Sequence, residues 1–353
     1  MANLFLKFRI IFAYRSFVWD NAAQNKAHVH CVIVSFTLLT SDFRPVIYDE
    51  NGDRHLAKHI NGYLIDYPDF YIKSRKRKPP LGLPEMHKGS QPTDGGGLTL
   101  KSKEAEDLLG KYPQLKPCIK LYIGSNELIK GKKRYCLWLK GVSPAIYRKL
   151  PEIKDRLNIV IDKRKKSPTD SVRLEDVKTP YIFTQIRQPD TDYIAVPEVS
   201  SEGREYIPIA ILSKDIIASN KLYLIPSTEK WLFSVLSSST HMAWMRVVAG
   251  RMKSDYSYSP AVYTNFPWMD FTTEQKEKLS ETAQAILDAR QLYLDSSLAD
   301  LYDPEAMPVE LRKAHNANDK VVLKAYGLKS SLSEREIVEQ LFEIYESRNK
   351  KTE

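Results

Sequence analysis

Residues 10–39 read IIFAYRSFVWDNAAQNKAHVHCVIVSFTLL. Two runs rich in aromatic and β-branched residues, Ile10 to Trp19 and His28 to Leu39, flank a polar loop from Asp20 to Lys26. That pattern predicts a β-hairpin. A two-stranded hairpin has little core of its own and must pack on something larger. No other stretch of the chain reads as the sheet that it would complete.

The rest of the composition is that of a globular protein. The 353 residues suggest about two domains, and 42% hydrophobic with 27% charged residues are enough to bury a real core. No apolar run reaches the ~20 residues of a membrane span, and no signal-peptide pattern opens the chain, so a cytoplasmic location is expected. Three scattered cysteines, Cys31, Cys118 and Cys136, form neither a disulfide framework nor a zinc-ligand spacing. They read as small buried hydrophobes. Lys and Arg total 53 against 44 Asp and Glu, a net charge of +9. Such an excess favours polyanionic partners, because neutralised phosphates release counterions.

Beyond the hairpin, Pro and Gly gather from Pro68 to Gly97, including the turn Asp94-Gly95-Gly96-Gly97. This is connector material. A helix is expected at Lys103 to Leu109. Short β-like runs then dominate: Lys120–Ile123, Arg134–Leu139, Tyr181–Ile186, Tyr193–Val196, Tyr206–Leu212 and Lys221–Ile225. One basic helix, roughly Pro144 to Arg156, interrupts them. Ser227 or Thr228 caps a helix that continues through Trp244 to Gly250, and a polar tract, Arg251 to Ser259, follows. Thr272 with Gln275, and Ser333 with Glu336, have capping-box spacing before two further helices. The fold class is therefore α+β: an N-terminal remnant hairpin of a larger sheet, a mixed α/β domain and a helical C-terminal segment. The boundaries fall at 1–45, 46–270 and 271–353.

Few residues suggest chemistry. Phe17 and Trp19 end the first strand beside a polar loop, where aromatics can stack on an extruded base; hairpin packing is the alternative. Three basic clusters suit phosphate contacts, although charged runs are most often solvated loops. They include Lys73, Arg75, Lys76 and Arg77; Lys132, Lys133 and Arg134; and Lys163 and Arg164. Lys253 and Asp255 lie one residue apart in the polar tract. Lysine donates to guanine acceptors and aspartate accepts from the cytosine amine, so the two can read both halves of a G·C pair. An ordinary exposed loop is the plain alternative. His241 reads as a structural histidine. No phosphate loop, Asn-Pro-Pro-aromatic or Asp-Pro-Pro-aromatic tetrapeptide, or nuclease carboxylate cluster is found.

Several phrases, in order, resemble the C-terminal half of MmeI-like type IIL restriction–modification proteins and their adenine-methyltransferase relatives. They are FAYRSF (12–17) with Trp19, HVHCVIVSF (28–36), INGYLID (60–66), PTDGGGL (92–98) and GSNELIKGKKRYCLW (124–138). VPEVSSEGREYIP (196–208), SSTHMAWMRVVAGRMKSDYSYS (238–259), NFPW (265–268) and LADLYDPEAMPVELRKA (298–314) continue the series. The resemblance implies that the hairpin is the last of a methyltransferase core whose S-adenosylmethionine loop and catalytic motif are missing here. It implies no cofactor in this chain, no methyl transfer by the chain alone, double-stranded DNA as partner, and the missing core as a second one. Phe17 and Trp19 would lie near the flipped-base pocket. Lys253 with Asp255, and Lys221 with Ser257, fall where the family reads neighbouring base pairs, which suits G·C pairs flanking the methylated adenine, such as a G-A-G ending. A free-standing DNA-binding regulator or specificity subunit, and an intact enzyme with an unfamiliar active site, are the competing readings; the orphan hairpin disfavours the former.

Overall fold

The computed structural model describes residues 2–19, 29–40, 42–49, 51–72 and 78–350. A short helix α1 (Ala2–Phe5) leads into β1 (Phe8–Trp19), which pairs antiparallel with β2 (Val29–Leu38) as the two β-like runs predict. The hairpin gains two small strands, β3 (Val46–Tyr48), parallel to β1, and β4 (Arg54–Leu56), in the order β2-β1-β3-β4. Its core is small: Phe5, Ile10, Ala13, Ile47, Ala57 and Ile60. By contrast Val32, Ile33, Phe36 and Leu38 of β2 remain exposed.

Two four-stranded sheets follow. One holds β6 (Thr99–Lys101), β7 (Ile119–Ile123), β8 (Arg134–Leu137) and β12 (Ile217–Ala218), in the order β12-β7-β8-β6. Against it pack α2 (Ser102–Lys111) and α4 (Pro151–Lys165) through Leu98, Leu108, Ile153 and Val160. The other holds β5 (His87–Lys88), β9 (Tyr193–Pro197), β11 (Ala210–Leu212) and β13 (Leu222–Ile225), in the order β11-β9-β13-β5. Short helices α3 (Ser125–Lys130) and α5 (Asp170–Leu174) sit in the connections.

The C-terminal third is helical: α6 (Lys230–Leu236), α7 (Ser239–Val248), α8 (Pro260–Asn265), α9 (Thr273–Gln291), α10 (Leu298–Leu301), α11 (Val309–Ala325) and α12 (Glu334–Lys350). One hydrophobic core runs from Ile65 to Tyr345 and joins the second sheet to these helices. Trp244 stands edge-on to Phe266 and to Phe342, and each such ring contributes about 2–3 kcal/mol by leaving water.

Several local expectations change. The basic helix starts at Pro151, not at Pro144, which opens only a 3₁₀ turn. Proline is favoured at the first helical position and disfavours helix before it. The run from Ser227 to Gly250 is two helices: Ser238 Oγ accepts from the His241 N–H at 3.2 Å and caps α7. Neither Ser227 nor Thr228 caps α6, which begins after Glu229. Tyr181–Ile186 is not a strand; it makes one bridge, Gln91 to Gln185, and Phe183 packs edge-on to Tyr122 and Trp138. Both capping boxes form, Thr272 with Gln275 and Ser333 with Glu336.

Candidate nucleic-acid interface

The polar tract after α7 forms a ribbon. Strands β14 (Gly250–Met252) and β15 (Asp255–Ser257) pair antiparallel, and β10 (Val199–Ser200) flanks β15, in the order β10-β15-β14. Tyr256 and Tyr258 are buried, whereas Asp255 and Ser257 are half-buried. This two-residue period places Asp255 and Ser257 on the outer face. The Tyr258 hydroxyl lies 2.9 Å from His241 Nε2, which fixes the base of the ribbon. His241 is thus the structural histidine expected. Met252 pairs with Asp255, so Lys253 and Ser254 form the turn. Lys253 is exposed at its tip with φ of 58°. Two-residue hairpin turns reserve such a position for glycine, asparagine or aspartate, and lysine there is strained.

Lys221 comes next to this ribbon through Glu198. The Glu198 N–H donates to the Lys221 carbonyl at 3.1 Å, and the Glu198 carbonyl accepts from the Tyr258 N–H at 2.8 Å. One residue on, Val199 pairs with Ser257. The Glu198 carboxylate accepts from Lys88 Nζ at 2.7 Å and Lys221 Nζ at 3.0 Å. Burial works to raise the Glu198 pKa, but the two lysines outweigh it and hold it below the usual carboxylate value. Its hydrogen bond to Glu198 in turn raises the pKa of Lys88, whose ammonium lies 5.6 Å from the Tyr223 ring centre. Lys88 and Glu198 lie 110 residues apart, and no local sequence pattern pairs them.

The basic clusters divide. Lys132 and Lys133 are exposed in the connection between α3 and β8, just after Gly131 ends α3 in the left-handed conformation. Lys163 is exposed on α4. Arg134 is half-buried and engaged within the protein: its Nε lies 3.0 Å from Glu127 Oε1 and its guanidinium 4.5 Å from the Tyr122 ring centre. Arg164 is a clear correction. It is fully buried and donates to the carbonyls of Thr93, Asp176, Thr179, Pro92 and Ile182. A guanidinium so engaged holds two loops to α4 and cannot reach a phosphate. One of these loops carries the Asp94–Gly97 turn, where a Cβ on Gly97 would meet the Arg156 carbonyl at 2.3 Å. Lys73, Arg75, Lys76 and Arg77 lie outside the described residues.

At the other end, β1 carries Phe17, half-buried and edge-on to Tyr14 at 5.2 Å. The β1–β2 register shifts between Tyr14 and Phe17, a bulge of the kind that re-aims side chains. Trp19 closes β1, and its side chain lies outside the described residues. Cys31, Cys118 and Cys136 are free; the last two are buried, whereas Cys31 is only half-buried. Among the described residues no acidic, histidine or cysteine cluster is placed to hold a metal ion, and no helix is long and apolar enough to cross a membrane.

Residues 66–270 match the family described as MmeI, target recognition domain, residues 271–353 match MmeI, C-terminal domain, and residues 2–49 match MmeI, DNA-methyltransferase domain. The chain belongs to the MmeI family. DNA methyltransferase A of Bacillus subtilis (strain 168) is 39% identical over 339 residues, which are 96% of this chain and 38% of that protein. The type IIL restriction–modification enzyme MmeI, solved in complex with DNA, superposes with a TM-score of 0.91 at 39% identity, over 98% of this chain and 47% of that one. The chain spans less than half the length of either relative.

Proposed function

We propose that this chain recognises a specific sequence in double-stranded DNA, as the target-recognition part of an adenine-N6 DNA methyltransferase of a restriction–modification system. The observation that carries the reading is the ribbon: Lys253 stands at its tip, with Asp255 and Ser257 on one face and Lys221 beside it. A two-stranded ribbon fits the major groove, where lysine reads guanine and aspartate reads the cytosine amine. Lys253 with Asp255 reads one G·C pair, and Lys221 with Ser257 its neighbour. Lys132, Lys133 and Lys163 contact phosphates, which position the protein without specifying sequence. The target holds G·C pairs flanking the methylated adenine, and the setting is the bacterial cytoplasm.

The N-terminal sheet, which β3 and β4 extend past the expected boundary at residue 45, closes a methyltransferase core; the residues from there to 270 recognise the target and residues 271–353 brace it. The exposed Val32, Phe36 and Leu38 on β2 are the face on which the remainder of that core docks. Phe17 and Trp19 then border the pocket for the extruded adenine. S-adenosylmethionine supplies the methyl group in the parent enzymes. Among the described residues, one cavity of about 380 Å³ beside α7 and α11 is lined by Ser239, Asp319, Lys320, Leu323 and Glu334 and offers no ring to stack an adenine.

Fluorescence anisotropy with duplex DNA across a salt series tests the reading, using pools with and without G-A-G. Sequence-dependent binding that survives moderate salt is expected. Binding governed by salt alone and indifferent to sequence would remove base readout from this chain.

A further inference from the structure

Arg251 of β14 is surrounded by groups that belong to the ribbon and to its neighbours. Its guanidinium stacks 3.8 Å from the ring centre of Tyr256, its cross-strand partner. One arm donates to the Ser254 carbonyl at 2.7 Å, inside the turn that holds Lys253, and the other to the Tyr256 hydroxyl at 3.0 Å. The first arm also lies 3.2 Å from Glu202 Oε2, and Glu202 Oε1 lies 3.5 Å from His30 Nε2 on β2, in contact but not hydrogen-bonded. His30 Nδ1 is 3.1 Å from Ser16 Oγ on β1, and the residue after His30, Cys31, stands opposite Phe17.

We propose that Arg251 is a positioning residue for base readout: it fixes the strained turn that presents Lys253 and, through Glu202, sets the ribbon against the strand pair carrying Phe17. The inference rests on the reading of the ribbon as the base-reading element. A fork is needed for this work. A planar guanidinium can stack and donate in two directions at once, whereas an ammonium on a flexible stem cannot hold all three partners. The His30 end matters because target recognition and an extruded base must keep a fixed separation along the duplex. A contact chain from one to the other sets it.

The test compares the wild-type chain with Arg251→Met, Arg251→Lys and Glu202→Gln on duplexes that differ from the preferred site at one base pair at a time. Arg251→Met is expected to lower the discrimination ratio about tenfold at the base pair that Lys253→Ala also relaxes, and at no other. Arg251→Lys keeps the charge and is expected to lose the same discrimination. Glu202→Gln is expected to lose about threefold there, and it serves as the readout if Arg251→Met does not fold. Full discrimination by Arg251→Met, its return in Arg251→Lys, or a loss spread evenly over all positions overturns the proposal and leaves the recognition reading standing. Wild-type protein that binds every duplex alike defeats that reading, and the proposal with it.

Discussion

Lys221 Nζ lies 3.0 Å from Glu198 Oε2, on a carboxylate that also takes Lys88 at 2.7 Å. Because the lysines hold the Glu198 pKa below its usual value, the bridge stabilises the fold above the unfolded carboxylate pKa of about 4.3 and is lost as pH falls through the lower folded value. Glu198→Ala is expected to cost about 1–2 kcal/mol at neutral pH, limited by the exposure of Lys221. Glu198→Gln is expected to flatten the acid limb of stability. Urea unfolding between pH 3 and pH 7 measures both; an unchanged limb in Glu198→Gln would mean the bridge does not form.

Arg164 and the Lys132–Lys133 pair should behave in opposite ways. Arg164→Met strips donors from five carbonyls and is expected to cost about 3–5 kcal/mol. Lys132→Ala with Lys133→Ala should leave the unfolding midpoint unchanged and lower the slope of log K against log salt by about 2, one phosphate contact for each lysine. Calorimetry and anisotropy on the same samples separate the two classes.

Lys253 sets stability against readout. Its φ of 58° suits glycine, so Lys253→Gly is expected to stabilise the fold by about 1 kcal/mol. The same change is expected to relax preference at one base pair, as Lys253→Ala and Asp255→Ala do, by about 1–3 kcal/mol per contact. A variant that gains stability and keeps full discrimination would assign that base pair to other residues.

Two buried histidines make the fold acid-sensitive. His241 meets the Tyr258 hydroxyl, and His315 sits between the Tyr302 hydroxyl at 2.8 Å and the Ser237 carbonyl at 3.1 Å. Burial holds both pKa values down at about 3, with Arg290 adding to the effect at His315. The unfolded chain therefore binds protons that the native one refuses. Their contribution is intact above about pH 6.5 and falls by about 1.4 kcal/mol per pH unit for each histidine as pH drops toward 3. Replacing His315 by Gln is expected to reduce the slope of stability against pH by about that amount between pH 4 and pH 6.

Some of this was legible in the chain and some was not. The N-terminal hairpin is legible because aromatic and β-branched residues crowd into two neighbouring runs, and both capping boxes because three-residue spacing is local. In the letters the ribbon is a polar tract, although the period-two spacing of Tyr256 and Tyr258, both buried, is a strand signal. Arg164 looked like its exposed neighbours in a basic run. Helical spacing would have separated it, since Ile153, Leu157, Val160 and Arg164 lie on one stripe of α4. The break between α6 and α7 was hidden because two serines are compatible with helix as well as with a cap. Glu198 with Lys88 depends on the pairing of β13 with β5 and β9, and no local pattern encodes a partner so far away.

The core that runs without interruption from Ile65 to Tyr345 bears on how specificity could be exchanged between relatives. The border between the two larger family matches, at residues 270 and 271, passes through that core: Phe70 meets Phe342 at 4.3 Å, and Trp244 meets Tyr345 at 5.8 Å. A chimaera joined there would set rings from one parent against holes shaped for another. Transplanting the ribbon alone, from Gly250 to Ser257, keeps both halves of the seam from the same parent and exchanges the outward side chains.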